Sequence, residues 1–372
     1  MTLLRTSGVT RRSLLAGSAA GILAAAAGRA FGAPALTVRE VDRLTIQVVT
    51  DNATFGPFLE DMTLPGLQLV RAGNGGKSGY ARMSTRVLLA EFGLSVFAES
   101  RRGEQTRRVL VDFGYTPEVL ANNLTLLGID PTTIDAAVLS HGHLDHYGGF
   151  PGLFARSPAN RRRLPLIVGG EETFCERVAL IGNPPPVMGA LNRPTLRRAG
   201  FDVQVRSEPV LVADHAFTTG QIPLQTSERA AIPTQMRPGI GCERKLLSSE
   251  KRAAAQLADD GEHELATCYA VKGLGLIVIA SCSHRGVLNS IRRAQALSGI
   301  ERVHAVIGGF HLVRPRTEAE ARETVAELVR VDPKYIVPMH CTGEVFIAEA
   351  LRVMPGKVVR SYVGSQLIFS AT

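Results

Sequence analysis

The sequence predicts a mixed α/β protein, and three observations predict it. Short apolar runs rich in β-branched residues recur along the chain. Stretches with helical spacing separate several of them. Reactive side chains stand just past the ends of the runs. Strands of one sheet bring such loop residues to one edge, where α/β folds place their chemistry.

Residues 45–50 (TIQVVT) read as a strand stopped by Asp51-Asn52. Residues 87–89 and 94–98 flank Gly93 as a hairpin would. Residues 109–111 run apolar into Asp112-Phe113-Gly114, and 117–127 carry Val119, Leu120, Leu124, Leu126 and Leu127 at helical spacing. Residues 134–140 form a buried strand that ends on a histidine cluster. From Phe150 to about Ala266 the pattern loosens around Pro184-Pro185-Pro186 and several Gly/Pro breaks, and this stretch reads as a long mid-chain insertion in the same domain. Strands return at 274–280 (LGLIVIA), 303–307 (VHAVI) and 335–338. Thr317 and Glu320 form a capping box that opens a helix to about Val331, with Ala321, Val325, Leu328 and Val329 on one side.

With 372 residues, 45% of them hydrophobic and 20% charged, the chain can bury a large core. Net charge is +8, but Arg5, Arg11, Arg12 and Arg29 lie in the first 33 residues; without them 38 basic residues face 34 acidic ones. A nucleic-acid surface is denser in cations than that. Anionic small-molecule substrates are permitted by this charge and not demanded by it. Five widely spaced cysteines with no CxxC make no disulfide framework, and a core of this size needs none.

The segment TRRSLL at 10–15, then an Ala/Gly-rich apolar stretch, then small residues at 30–33, fits a twin-arginine export signal. The stretch 14–27 is shorter than the ~20 residues of a bilayer-spanning helix. Residues 1–33 are therefore expected to be a signal segment, 34–372 the working domain, and the location periplasmic or otherwise exported, with no stable membrane span in the mature form.

Residues 140–149 read SHGHLDHYGG, which puts His141, His143, Asp145 and His146 within six positions of a chain that has nine histidines. Directly after a strand, such a turn can aim His141 and His143 at one cation and Asp145 and His146 at a second. Imidazole nitrogen suits zinc, iron or manganese, and the carboxylate hardens the second position. Gly148-Gly149 lets backbone pass close behind the cluster. Four side chains cannot close two metal sites, and the chain offers further donors beyond later strands: Cys282 and His284, then His311, then His340 and Cys341. His284 and His340 are expected to ligate, Cys282 to bridge or serve the second position, and Cys341 to pack. His311 is expected to ligate, or to protonate a leaving group or hydrogen-bond the substrate. His215, His263 and His304 carry no motif and read as structural or exposed.

These residues resemble the metallo-β-lactamase superfamily. HGHLDH at 141–146 matches its metal-binding signature, and VLVDFG at 109–114 resembles its earlier strand ending in Asp-x-Gly. EFGLS at 91–95, SCSHRG at 281–286, GGFHL at 308–312 and PMHCTG at 338–343 are similar to the dihydropterin-ribofuranosylaminobenzene phosphate synthase-like branch of metal-dependent hydrolases. The resemblance implies an αββα sandwich, two divalent metal ions on one edge, and Asp112 orienting a ligand histidine from behind. Relatives often have Gly in place of Ser281, His in place of Phe92, and a small residue or Pro in place of Arg285.

The expected activity is metal-dependent hydrolysis of an ester, lactone or phosphoester small molecule, with Asp145 and His311 as catalytic groups. Non-hydrolytic binding, sensing or redox chemistry on the same fold is the alternative; a penicillin-hydrolysing role fits the later motifs less well. Arg285, Arg314 and Arg316 are candidates to receive a substrate anion, and Arg161-Arg162-Arg163 reads as a solvated face. Residues 73–79 (GNGGKSG) lack Walker spacing and read as a loop bordering the site.

Overall fold

Alternation along a few strands explains the architecture. In Arg43–Thr50, Ile46 and Val48 face one way and Val49 the other; in Gln105–Val111, Val109 and Val111 face one way and Leu110 the other. A strand with both faces apolar must be covered on both sides. The computed structural model describes residues 36–55, 59–71, 86–155 and 163–371. The export segment expected over 1–33, the loop 73–79, and Arg161 and Arg162 lie outside these residues.

Among the described residues, the first sheet has nine strands, in the order Phe201–Val205, Leu164–Val168, Ala136–Leu139, Gln105–Val111, Ser95–Arg102, Arg43–Thr50, Gln366–Ser370, Leu67–Val70, Met62–Leu64. The second has seven, ordered Val210–Val212, Ala216–Thr218, Thr267–Val271, Gly275–Ala280, Val303–Gly308, Tyr335–Pro338, with Glu40–Val41 beside Thr267–Val271. The two sheets share one apolar layer: Ile46, Val96 and Val111 from the first meet Tyr269, Ile277 and Ile307 from the second. Leu120 and Leu124 of the helix Pro117–Leu126 and Leu196 of Arg193–Arg198 cover the outer face of the first sheet. Val287–Ser298 packs on the second sheet, and Glu318–Val331 packs on Glu344–Val353. The result is an αββα sandwich.

Three expectations need correction. Residues 87–89 form no strand. The side chain of Asn123 takes both the N–H and the C=O of Leu89, at 2.9 and 2.7 Å, in place of a strand partner. The hairpin is instead Ser95–Arg102 with Gln105–Val111, turning at Gly103. The middle of the chain is only partly an insertion. Leu164–Val168 and Phe201–Val205 extend the first sheet, and Val210–Val212 and Ala216–Thr218 the second. What is added is a four-stranded sheet of Val187–Gly189, Glu176–Ala179, Thr234–Arg237 and Leu257–Ala258. Finally, two cysteines do pair: Cys175 and Cys242 form a disulfide across 67 residues. Antiparallel pairing of Glu176 with Arg237 brings the two ends together.

The capping box at Thr317 and Glu320 is present. On that helix Thr324 is buried, while Val329 is 46% exposed.

Candidate metal centre

The sheet edges gather the reactive loops. Gly275–Ala280, Val303–Gly308 and Tyr335–Pro338 run parallel, so their C-terminal ends carry Cys282, His284, His311 and His340 to one rim. Gln105–Val111 and Ala136–Leu139, also parallel, deliver Asp112 and the 141–146 turn to that rim. The backbone there is strained: Asp112, Ser283, His311 and His340 have φ of 58, 58, 41 and 46°. Non-glycine residues rarely adopt this left-handed region, and such strain concentrates at functional sites.

Ligand atoms of His141, His143 and His284 lie within 4.8 Å of one another, as do those of Asp145, His146 and His340. Cys282 joins sets that draw on both groups: one with His141 and His146, one with His284 and His311, and one with His340 and Cys341. It therefore stands between the two positions. All these side chains are buried except at the His340 backbone, and His340's ring is fully covered.

Hydrogen bonds on the far side of each ring fix which nitrogen faces inward. Ser140 Oγ gives its one proton to Asp112 Oδ2 at 2.7 Å, so it accepts from His141 Nδ1 at 2.9 Å, and His141 Nε2 is left bare. His146 Nδ1 donates to Asp112 Oδ2 at 2.8 Å, and His284 Nδ1 to the Ala231 carbonyl at 3.1 Å. Asn52 Nδ2 donates to the His340 carbonyl, and Asn52 Oδ1 then faces His340 Nδ1, 3.4 Å away. His143 is reversed: its Nε2 meets Thr234 Oγ1 at 3.1 Å, leaving Nδ1 inward.

Bare lone pairs therefore confront each other. His284 Nε2 is 3.2 Å from His143 Nδ1, and His146 Nε2 is 3.2 Å from His340 Nε2. Asp145 Oδ2 sits 3.3 Å from the latter and 3.6 Å from His146 Nε2. Acceptors this close repel unless a cation lies between them, so the donor set fits metal ions. Electrostatics agree. Burial pushes His141 and His284 well below the usual imidazole range, and His143 down to about 4. Burial works against the Asp145 carboxylate, but His146 and His340 outweigh it and keep it low. Burial also lowers His340, yet Cys341 and Asp145 more than offset this and raise it, so that ring favours a proton in the very place a metal ion would take from it. Neutral imidazoles and an ionised carboxylate are the metal-binding forms.

Close approach of backbone requires the glycines of the motif, Gly148 included, whose Cβ would lie 2.2 Å from the Tyr115 carbonyl. A Cβ on Gly142 would lie 2.3 Å from the Thr173 carbonyl, and one on Gly149 2.0 Å from that of Phe113.

Other predicted residues have different places. His311 is buried, with Nδ1 3.6 Å from Cys282 Sγ and Nε2 without a hydrogen-bond partner among the described residues. Cys341 does not merely pack: its sulfur is 3.1 Å from that of Cys282. Asp51 accepts from the His340 N–H at 2.8 Å, so it braces the site. Arg285 is tied to the carbonyls of Ile222 and Asp260, and buried Arg316 donates to the carbonyls of Arg229 and His284. Arg314 and Arg163 are exposed. At the mouth, Phe92 is 60% exposed with its ring 5.0 Å from that of His340.

Several partners were not legible beforehand. Glu264 accepts from the N–H groups of His284 and Arg285 at 2.8 and 2.7 Å. His263, read as structural or exposed, accepts from Gly142 N at 3.1 Å, between two of the inward-facing histidines. The charged run 259–264 (DDGEHE) was the available signal, and it looks like a solvated loop until the fold is known.

Residues 91–173 match the family model described as the metallo-beta-lactamase superfamily. A 7,8-dihydropterin-6-methyl-4-(beta-D-ribofuranosyl)-aminobenzene-5'-phosphate synthase of Methanocaldococcus jannaschii is 28% identical over 283 residues, which cover 73% of this chain and 90% of that protein. An uncharacterised protein of the same organism is 26% identical, over 68% of this chain and 85% of its own. Among solved structures, Tm1679, a metal-dependent hydrolase of the beta-lactamase superfamily, has the same fold at TM-score 0.62 and 22% identity, over 87% of this chain and 98% of that one. No helix among the described residues is long and apolar enough to cross a membrane.

Proposed function

We propose that the chain, whose residues 91–173 match the metallo-beta-lactamase superfamily model, is a metal-dependent hydrolase of a small-molecule ester, lactone or phosphoester. The observation that carries this reading is the double convergence of bare acceptors. His141, His143 and His284 would hold one divalent ion, Asp145, His146 and His340 a second, with Cys282 between them. Zinc suits this mixture of imidazole, carboxylate and sulfur; iron or manganese is the alternative. When bound, such a pair supplies hydroxide near neutral pH and polarises the oxygen of the scissile group.

The chain's own side chains do the rest. Asp112, Ser140, Asn52, Thr234 and the Ala231 carbonyl keep the five imidazoles in the tautomers that face inward. Asp145 contributes the only carboxylate among these six donors and balances the positive charge gathered there. His311 presents a partnerless Nε2 that can hand a proton to a leaving group or hydrogen-bond the substrate. Phe92 at the mouth gives an apolar or planar group of the substrate a surface to lie on.

Elemental analysis of protein purified without a metal-binding tag, followed by panels of esters, lactones and phosphodiesters, tests this. About two zinc ions per chain with turnover on one panel is the expected result. Stoichiometric metal with no turnover on any panel would favour the second reading, non-hydrolytic chemistry, which has one observation behind it: a relative spanning 73% of this chain is a synthase.

Export through the twin-arginine route is part of the proposal. TRRSLL supports it, and so does the Cys175–Cys242 disulfide, since such bonds persist in oxidising compartments. Cell fractionation with N-terminal sequencing should find a periplasmic chain beginning near Pro34; a full-length chain in the cytoplasm would remove this part.

A further inference from the structure

The added four-stranded sheet reaches the metal centre through a closed circuit of side chains. Thr234 Oγ1 accepts from His143 Nε2 at 3.1 Å and donates to Asp259 Oδ2 over a long 3.5 Å. Asp259 Oδ2 takes the Nε–H of Arg177 at 2.9 Å. Arg177 Nη2 donates to His263 Nε2 at 3.1 Å, and the same nitrogen accepts the N–H of Gly142, also at 3.1 Å. Gly142 lies between His141 and His143, so the circuit leaves one inward-facing ring and returns to its own turn.

The circuit is built on neighbouring strands. Arg177 pairs with Met236 and Thr234 with Ala179 in one antiparallel ladder, and Asp259 follows the strand that pairs Ala258 with Gln235. The Cys175–Cys242 disulfide closes the end of that ladder. Arg177 is 1% exposed, Asp259 6% and His263 1%, so this is a fully desolvated ion pair. Such a pair is weak as a source of stability, because desolvation offsets much of the attraction. His263 also holds its buried Nδ1 without a partner among the described residues, which is destabilising. Stability alone does not account for this arrangement.

We propose that the disulfide-closed sheet is a clamp on one of the two metal positions: through Thr234, Asp259, Arg177 and His263 it fixes the His143 ring with Nδ1 inward and sets the backbone between His141 and His143. These are positioning residues. The other position, at Asp145, His146 and His340, is braced from the main sheets by Asp112 and Asn52 and shares no hydrogen bond with the circuit among the described residues. The inference rests on the reading that the site holds metal, and it predicts asymmetry between the two ions.

The test is zinc titration of the full-length chain against a chromophoric chelator, in wild type, Thr234→Val and Thr234→Ser. Valine keeps the shape of threonine and removes the acceptor from His143. One of two zinc equivalents should weaken about 10–100-fold and the other hold its affinity, the usual size of such an outer-partner effect. Serine should restore the lost equivalent. In cobalt-loaded protein the visible bands of one equivalent should change with it. The Cys175→Ser/Cys242→Ser double variant should weaken the same equivalent. Thr234→Ala serves equally if valine does not pack. Two equivalents of unchanged affinity in the threonine variants would overturn the clamp and leave the proposed function standing. Equal weakening of both would also overturn it. A wild type that takes up no zinc would overturn both.

Discussion

Asp112 Oδ2 accepts a hydrogen bond from His146 Nδ1 at 2.8 Å while the same carboxylate takes the backbone N–H and the hydroxyl of Ser140, both at 2.7 Å. One buried carboxylate thus sets two rings: His146 directly, and His141 through Ser140 Oγ. Asp112→Asn replaces one acceptor oxygen by an NH₂ group, which cannot satisfy three donors. Metal affinity should fall about 10–100-fold. Chelator competition measures it, with circular dichroism to check that the chain is folded. An unchanged competition curve would show that Asp112 does not orient these ligands.

The Gly142 position makes a sharper steric prediction. Gly142→Ala puts a methyl group 2.3 Å from the Thr173 carbonyl, which is backbone and cannot rotate away. The turn between His141 and His143 must then move, at about 1–3 kcal/mol for an overpacked site. A melting temperature within a degree of wild type would mean that the 141–146 turn has room the structure does not show.

How much of this was readable beforehand follows from which interactions are local. His141, His143, Asp145 and His146 declared themselves because one turn carries all four, and the buried strand before them is a continuous apolar run. His284 and His340 were legible because each follows such a run. The circuit through Arg177, Thr234, Asp259 and His263 was not, because its members come from two short strands and the loop after a third, whose pairing no local pattern specifies. The same holds for the disulfide: 67 residues separate its cysteines, and only the ladder between them makes them neighbours. The false hairpin at 87–98 has a related cause. Val87 and Leu89 look like strand residues, but a distant asparagine satisfies the backbone of Leu89, and both side chains stay exposed.

Acid should destabilise the metal-free protein. Burial lowers both His143 and His304 to about 4 from the usual 6.5. The unfolded chain takes up these protons near 6.5, whereas the folded chain resists until about 4. Between those values the unfolded state binds more protons, so stability is full above 6.5 and declines as pH falls through the window. Denaturant midpoints at pH 7.5, 6.5, 5.5 and 4.5 measure this. His304→Gln, which keeps a donor for the Gly66 carbonyl, should give a shallower decline. A midpoint that stays level down to pH 4.5 would contradict the assignment of these rings as neutral.

His311 separates catalysis from ligation. Its Nε2 has no partner among the described residues and its Nδ1 lies 3.6 Å from Cys282 Sγ, so the ring is close enough to ligate and free enough to move a proton. Glutamine keeps a polar group of similar reach but cannot act as an acid near neutral pH. If His311 serves the leaving group, His311→Gln should leave metal content at the wild-type level and lower kcat about 100-fold or more. The deficit should shrink for substrates whose leaving groups need no proton. If His311 is a ligand instead, the variant loses metal along with activity, and excess zinc recovers part of both. Metal content and the leaving-group dependence, measured together on one variant, therefore decide between the two roles, because a ligand's loss weakens every substrate alike.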